Sequence, residues 1–193
     1  MTISSEQMIQ IFKDTEGLLE GHFQLTSGLH SNRYFQCAKV FQYPHHAETL
    51  CSEIAANFKD SNIDLVVSPA VGGIVVGQEV ARLLGVRHIF TERVDGQMTL
   101  RRGFTIDAGE KALVVEDVTT TGGSVKEVIK TLQGMEATIV SVGAVVDRSG
   151  GTVDFGVPYF SLLQIDVETF EPDNCPLCES GSEAVKPGSR GLK

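Results

Sequence analysis

The chain has 193 residues, enough for one domain of ordinary size, and 41% of them are hydrophobic, so we expect a packed core. Acidic residues outnumber basic ones by 25 to 16, and the net charge of −9 argues against a broad basic face that binds nucleic acid. No apolar run approaches the roughly 20 residues that a membrane-spanning helix needs, so we expect no membrane partner either.

The N-terminal part of the chain differs in pattern from the rest. It begins as an amphipathic helix that carries Glu6 and Asp14 and has no basic leader, which predicts a cytoplasmic protein. The following stretch, "HFQLTSGLHSNRYFQ", is typical of a hairpin or small hood beside a main sheet. We expect a single domain over residues 1–193, divided into a helix and hood at 1–43, a core at 44–170 and a loop-like tail at 171–193.

Strand and helix patterns alternate through the core. Apolar residues recur at helical spacing after Pro44, along 73–85 and between Ser124 and Gly134. Short apolar runs rich in β-branched residues predict strands at 63–68, 86–92, 111–117, 138–147 and 158–166. This alternation predicts an α/β fold with a parallel sheet and helices on both faces.

Parallel sheets of this kind bind ligands at the carboxyl ends of their strands. Three loops of the chain follow predicted strands, at 68–73, 116–124 and 147–151. We therefore expect these loops to lie on one rim of the sheet and to form the functional site together.

The loop in "LVVEDVTTTGGSV" has the composition of an anion-binding cradle. Glycine lets the backbone approach a ligand closely, hydroxyl groups donate hydrogen bonds, and a helix N-terminus offers unpaired N–H groups. The candidate residues are Thr119, Thr120, Thr121, Gly122, Gly123 and Ser124. An alternative stays open, because Ser124 and Glu127 also fit the S-x-x-E capping box of an ordinary helix.

Two adjacent acids, Glu116 and Asp117, precede this cradle at the end of a buried strand. Buried carboxylates are costly unless they have a partner, and next to a bare phosphate they would repel the ligand. A sugar phosphate removes the conflict, since the acids could accept hydrogen bonds from ribose hydroxyls or help to hold Mg²⁺. The chain has neither a G-x-x-x-x-G-K-[ST] nor a G-x-G-x-x-G nucleotide motif.

The stretch "LVVEDVTTTGGSV" closely resembles the ribose-phosphate signature of the type I phosphoribosyltransferases. The resemblance implies phosphoribosyl pyrophosphate (PRPP) as donor, Mg²⁺ as cofactor, possible help from Asp117 in holding that metal, and a Rossmann-like parallel sheet flanked by helices with a small N-terminal hood. It assigns PRPP binding to Glu116, Asp117, Val118, Thr119, Thr120, Thr121, Gly122, Gly123, Ser124 and Arg93.

Further stretches resemble the orotate-using members of that family. "FQLTSGLHSNRYFQ" is similar to a hood segment whose paired aromatics, here Tyr34 and Phe35, cover the base. "VVDRSGG" places Arg148 where the family has an orotate-binding arginine, and the same resemblance gives Thr120 a role in orienting orotate. It also implies a homodimer with shared active sites. Taken singly, the two aromatics could be core residues and Arg148 a solvated loop residue.

"FTERVDGQMTLRRGF" occupies the place of the family's mobile catalytic loop, and "VVSPAVGGIVVG" that of its pyrophosphate loop. Familiar members carry lysines where this chain has Thr26 and Gly72. The charge of pyrophosphate must still be neutralised, so we assign that role to the arginines of the first stretch. The candidate catalytic residues are then Glu116, Asp117, Arg93, Arg101 and Arg102.

Several alternatives stay open at this point. The acceptor could be a purine, or the chain could be a PRPP-sensing regulator without turnover. The "CPLC" stretch, with Cys175 and Cys178, could be a plain reduced turn or part of a metal or redox site. A zinc site would need two more ligands, and Cys37 and Cys51 lack the paired spacing.

Overall fold

The computed structural model describes residues 3–25, 28–165 and 167–187. Its strands, in chain order, are β1 (Leu18–Gln24), β2 (His30–Phe35), β3 (Leu65–Pro69), β4 (Arg87–Val94), β5 (Gln97–Leu100), β6 (Lys111–Thr119), β7 (Thr138–Asp147), β8 (Tyr159–Gln164) and β9 (Thr169–Phe170). Its α-helices are α1 (Ser5–Asp14), α2 (Cys37–Phe41), α3 (Pro44–Phe58), α4 (Gly73–Leu84), α5 (Gly123–Gln133) and α6 (Pro176–Glu179). Thr26 and part of the tail, 188–193, lie outside the described residues.

Six strands form the central sheet in the order β5-β4-β3-β6-β7-β8. Every neighbouring pair is parallel except β4 and β5. The carboxyl ends of β3, β6 and β7 therefore lie along one edge, where Thr119 of β6 is in register with Asp147 of β7. We call this edge the strand-end rim. The predicted fold class, a parallel sheet flanked by helices, is confirmed.

Alternate strand residues pack on opposite faces of the sheet. Leu65 and Val67 of β3 join the cluster that α5 covers, whereas Val66 joins the cluster that α3 and α4 cover. All three side chains are fully buried. Complete burial of a valine or leucine side chain stabilises a fold by about 1.5–3 kcal/mol, so both faces contribute to the stability of the rim.

Local sequence signals explain where the helices that support the rim begin and end. Pro44 occupies the first turn of α3, where its missing N–H costs nothing. Gly85 ends α4 in the left-handed conformation, with φ of 72°. Gly122 precedes α5 with the same φ of 72°, a value that residues with a side chain rarely adopt.

A second, antiparallel sheet has the order β1-β2-β9, and we call it the hood. The tail, residues 171–187, returns to the hood: the Val185 N–H donates to the His22 carbonyl at 2.8 Å, and the Gln24 N–H donates to the Val185 carbonyl at 2.8 Å. The tail also contains one 3-10 turn, Pro172–Asn174, and the short helix α6. The predicted hairpin is present, and the described part of the tail is more ordered than a loop.

The stretch 90–104, to which the resemblance assigns the place of the mobile catalytic loop, is mostly the antiparallel hairpin of β4 and β5, which pairs Val94 with Gln97. Asp95 and Gly96 connect the strands with φ of 48° and 83°, the combination that a two-residue hairpin turn requires. The Asp-Gly pair was therefore a usable hairpin signal in the sequence.

No helix among the described residues is long and apolar enough to cross a membrane.

Candidate active site

The cradle lies on the strand-end rim, between the end of β6 and the start of α5. It encloses about 70 Å³ and is lined by Glu116, Val118, Thr119, Thr120, Thr121, Gly122, Gly123, Ser124 and Val125. No side chain caps α5, whose N-cap residue is Gly122. The capping box of Ser124 and Glu127 is therefore not formed. The first-turn N–H groups of α5 remain available to an anion.

The acid pair lies beside the cradle, near the carboxyl end of β6. Glu116 is buried and Asp117 half-buried, and the Asp117 N–H donates to Glu116 Oε1 at 3.1 Å. Burial raises the pKa of the Glu116 carboxyl well above its ordinary value, and the neighbouring Asp117 raises it further. Among the described residues no cationic group opposes this shift, so a bound cation would favour the ionised form of the Glu116 carboxyl.

The pyrophosphate loop expected at 68–73 contacts the acid pair directly. A Cβ atom added to Gly72 would lie 2.5 Å from Asp117 Oδ2, and one added to Gly73 would lie 3.1 Å from Glu116 Oε1. Two of the three rim loops are thus in contact. The contact also explains why glycine stands at position 72, since any side chain there requires the Asp117 carboxylate to move.

The third rim loop brings Arg148 to the site. Its backbone N–H donates a hydrogen bond to the Thr119 carbonyl at 2.8 Å, directly beside the cradle. Burial lowers the pKa of the guanidinium, and the nearby Tyr34 of β2 acts in the opposite direction. The Arg148 Nε atom is buried without a hydrogen-bond partner among the described residues. The structure therefore brings Arg148 and Tyr34 together at the rim, with a buried donor still to be satisfied.

Phe35 does not lie with Arg148 and Tyr34 at the strand-end rim. It is 5% exposed and belongs to the main core, where its ring meets that of Phe12 edge-on with centroids 5.4 Å apart. Successive strand residues face opposite sides of a sheet, so Tyr34 and Phe35 cannot both face the base. We correct the sequence expectation accordingly and leave Phe35 out of the orotate site.

Arg93 lies on β4 and is held by an acid. Its Nη1 atom is 2.9 Å from Glu127 Oε2, and its Nη2 atom donates to Glu127 Oε1 at 3.0 Å. Glu127 is on α5, one turn past the cradle. Arg93 therefore reaches the helix that carries the cradle, but it would have to exchange Glu127 for a phosphate ligand.

Arg101 and Arg102 follow β5 at the outer edge of the sheet and are exposed. The Arg102 guanidinium donates two hydrogen bonds to Glu92, both at 2.8 Å, and lies 5.7 Å from the centre of the Phe90 ring. Because they are on the far side of β4, the two arginines do not line the cradle of the same chain.

Comparison with known proteins identifies the family. A family model described as "Phosphoribosyl transferase domain" matches residues 41–172. The chain is 56% identical over 188 residues to an orotate phosphoribosyltransferase of Caldicellulosiruptor bescii, covering 97% of this chain and 99% of that protein. It is 55% identical over 190 residues to the orotate phosphoribosyltransferase of Desulforamulus reducens, covering 98% and 100%. The chain belongs to the orotate phosphoribosyltransferase family.

A solved structure supports the fold alone. The orotate phosphoribosyltransferase of Aeropyrum pernix matches with a TM-score of 0.70 and 22% identity, over 82% of this chain and 93% of that chain. The orotate phosphoribosyltransferase family is a family of pentosyltransferases, so the resemblance read from the sequence and its enzyme class are both confirmed.

Sequence reasoning missed the acids that hold the arginines of this family member. The sequence offered Glu127 only as part of a capping box, and it gave Glu92 no role. Both contacts join residues on different elements: Arg93 to Glu127, 34 positions apart, and Arg102 to Glu92, across the edge of the β4–β5 hairpin. No local motif in the sequence signals such ion pairs.

Proposed function

We propose that this chain transfers ribose 5-phosphate from PRPP to orotate, giving orotidine 5′-monophosphate and pyrophosphate in the biosynthesis of UMP. The observation that carries the proposal is the acid pair, the buried Glu116 and the half-buried Asp117, beside the uncapped Thr–Gly cradle. A phosphate and a polyhydroxyl group joined in one ligand satisfy both features. Orotate as acceptor is supported by Arg148 at the rim and by the orotate-using relatives.

The cradle is suited to the 5′-phosphate. Gly122 and Gly123 expose backbone N–H groups, and Thr119, Thr120, Thr121 and Ser124 add hydroxyl donors. A phosphate there also gains from the positive end of the α5 dipole. The acids, a short step back along β6, accept hydrogen bonds from the ribose hydroxyls.

Mg²⁺ fits the same place. Carboxylate and phosphate oxygens are the ligands that this ion prefers, and the raised pKa of Glu116 shows that its ionised form lacks a cationic partner among the described residues. Asp117, which is half-buried at the rim, and PRPP itself would hold the ion. When bound, it neutralises charge on the pyrophosphate leaving group.

Catalysis then consists of positioning and charge stabilisation. As the bond between C1 and the pyrophosphate oxygen breaks, positive charge develops on the ribose ring. Asp117 presents negative charge to that ring, and Glu116, whose burial favours the neutral carboxyl, helps to fix the ribose through its hydroxyls. The N1 atom of orotate forms the new bond to C1, and its proton leaves to solvent.

Orotate binds between the rim and the hood in this proposal. Arg148 pairs with its carboxylate through a charge-assisted hydrogen bond, which supplies the missing partner of the buried Nε atom. Tyr34 lies beside Arg148 and covers the base, and Thr120 orients it from the cradle.

The arginines of the β4–β5 region neutralise pyrophosphate. Arg93 exchanges its contact with Glu127 for a phosphate oxygen, and Arg101 and Arg102 close over the leaving group to exclude water. Because Arg101 and Arg102 are exposed at the sheet edge, we propose that they complete the site of a second copy in a homodimer.

The apolar surface around α3 and α4 supports that homodimer. Val71 is 82% exposed and Val75 47% exposed, unusual values for valine. Val75 lines a groove of about 790 Å³ between α3, α4 and β4. Light scattering should give twice the chain mass of 20.8 kDa; a monomer at micromolar concentration contradicts the homodimer. We further propose a cytoplasmic location.

The ultraviolet absorbance of orotate tests the proposed reaction. Purified protein should deplete orotate only when PRPP and Mg²⁺ are both present, and adenine and hypoxanthine should not replace it. Use of a purine in preference to orotate would overturn the acceptor. PRPP binding without turnover of any base would instead indicate a regulator.

A further inference from the structure

Four metal-ligating side chains meet between the hood and the tail. His22 lies on β1, His30 lies on β2, Cys175 immediately precedes α6, and Cys178 lies within α6. Their ligand atoms all lie within 4.8 Å of one another. Three of the side chains are buried, and Cys178 is at the surface. The active site on the strand-end rim uses none of them.

We propose that His22, His30, Cys175 and Cys178 bind one structural Zn²⁺ ion that fastens the tail to the hood. The site is separate from the proposed PRPP site and does not rest on the proposed reaction.

The distances suit one tetrahedral ion. Zn–S bonds of about 2.3 Å and Zn–N bonds of about 2.0–2.1 Å place neighbouring ligand atoms about 3.3–3.8 Å apart. Cys178 Sγ lies 3.3 Å from His30 Nδ1 and 3.8 Å from His22 Nε2, and Cys175 Sγ lies 3.6 Å from His22 Nε2. The two imidazole nitrogens are 2.9 Å apart and need to separate by only a few tenths of an ångström.

The hydrogen bonds of His22 leave the correct nitrogen for a metal. Its Nδ1 atom lies 3.0 Å from the Ser182 carbonyl and 2.8 Å from Ser182 Oγ. The Ser182 hydroxyl donates its own hydrogen to the Leu177 carbonyl at 2.9 Å, so both oxygens act as acceptors towards Nδ1. His22 Nδ1 therefore carries the proton, and the lone pair on Nε2 points at the cluster. Metal-binding histidines characteristically have such a partner on the second nitrogen.

Hydrogen-bonding contacts within the cluster converge on one acceptor. Three potential donors, on His30, Cys175 and Cys178, surround the single lone pair of His22 Nε2. One divalent ion would accept all four ligands at once. The cysteines would bind as thiolates, and their protons would leave to solvent.

The donor set distinguishes this ion from magnesium. Two sulfur and two imidazole ligands in a tetrahedron are typical of zinc, whereas Mg²⁺ prefers oxygen. All four coordination positions would be filled by protein, the arrangement of structural rather than catalytic zinc. The short spacing of Cys175 and Cys178 is also usual for a structural site.

The backbone brings the ligands together from distant parts of the chain. A register irregularity between Glu20 and Phe23 lets both His22 and Phe23 be buried on β1. Val185 then holds the tail along β1 through two backbone hydrogen bonds. His22 and Cys175 are 153 positions apart, so the ion would close a very long loop. Closing such a loop restricts the unfolded chain and stabilises the native one.

Elemental analysis of protein without an affinity tag tests the site. After gel filtration the wild type should carry one zinc per chain, and so should the His45→Gln control, whose exposed histidine lies on α3 outside the cluster. Cys178→Ser should lose the metal, with zinc affinity falling by more than about 100-fold, beyond the loss expected for an outer-shell change. Because Cys178 is exposed, the variant should keep its far-ultraviolet circular dichroism.

Two further measurements keep the result interpretable. Cobalt-substituted wild type should show the strong visible bands of tetrahedral, thiolate-bound Co²⁺, and Cys178→Ser should not. A zinc chelator should lower the Tm of the wild type and leave that of Cys178→Ser unchanged. The proposal is overturned if chelated wild type takes up no zinc from an excess, if Cys178→Ser binds it equally, or if the bound metal proves to be an iron–sulfur cluster. Orotate turnover is assayed separately, so either proposal can fail alone.

Discussion

The strand-end site and the hood–tail cluster are assembled differently. The site takes its acid pair and cradle from one stretch of chain, residues 116–124, and places them by ending β6 and starting α5. The cluster takes its ligands from β1, β2 and the tail, with His22 and Cys175 153 positions apart. Local backbone geometry positions the residues of the strand-end site, whereas packing of the tail against the hood positions the residues of the cluster.

This difference predicts different responses to mutation. Loss of a side chain at the rim should lower the rate while the fold persists, because the sheet and α5 remain packed beneath it. Loss of a ligand in the cluster should loosen the tail and lower the Tm, while the cradle keeps its shape. The predictions below test that separation, beginning with the largest effect.

Asp117→Asn should have the largest effect on turnover. It removes the negative charge that the proposed mechanism places against the ribose, and loss of one preorganised electrostatic contact typically lowers kcat by about 100-fold or more. The Tm should change little, since Asp117 is only half-buried. The control is Asp60→Asn, an exposed acid outside the rim. Near-normal turnover would remove Asp117 from the mechanism.

Arg148→Ala should impair the use of orotate more than the binding of PRPP. The KM for orotate should rise by about 10-fold or more, since a charge-assisted hydrogen bond to its carboxylate contributes about 1.5–3 kcal/mol. Steady-state kinetics with each substrate varied in turn measures the split. Arg33→Ala, an exposed arginine on the same hood strand as Tyr34, is the matched control. An equal rise in the KM for orotate and for PRPP contradicts the role assigned to Arg148.

Tyr34→Leu and Phe35→Leu should separate binding from stability at adjacent residues. Tyr34→Leu should raise the KM for orotate several-fold with little change in Tm, because Tyr34 lies beside Arg148. Phe35→Leu should cost about 1 kcal/mol of core packing, which lowers the Tm by about 2–4 °C in a chain of this size. The same pattern in both variants would show that the two aromatics share one role.

Glu116→Gln should reveal the stability cost of the buried acid. The pKa of Glu116 is raised above its ordinary 4.5, so the folded state binds this proton more tightly than the unfolded state does. Ionisation therefore destabilises the wild type as pH rises above 4.5, and the glutamine variant should gain in relative Tm over that range. Below pH 4.5 the difference in Tm between the variant and the wild type should vanish. Thermal melts across pH, with Glu183→Gln as control, measure it; a difference independent of pH contradicts the shift.

The sequence could predict the features that are built from neighbouring residues. The cradle and acid pair stand together in "LVVEDVTTTGGSV", and the helices that support them have their own start and stop signals. The period of a strand could also have excluded Phe35, because Tyr34 and Phe35 are neighbours and must face opposite ways.

Contacts between distant elements could not be predicted in that way. The two ion pairs that hold Arg93 and Arg102 depend on how β4 packs against α5 and β5. The two further ligands for Cys175 and Cys178 are histidines on the hood, which only the docked tail brings near. Such contacts follow from tertiary packing, and no spacing in the chain signals them.

The most direct test of the central claim is orotate-dependent pyrophosphate release by wild type and Asp117→Asn at equal concentrations of folded protein. With PRPP and Mg²⁺ present, the wild type should release pyrophosphate in equal amount to the orotidine 5′-monophosphate formed, and the variant should release about 100-fold less per unit time. Release that does not depend on orotate, or equal rates from both proteins, would contradict the assignment of this reaction to the acid pair at the strand-end rim.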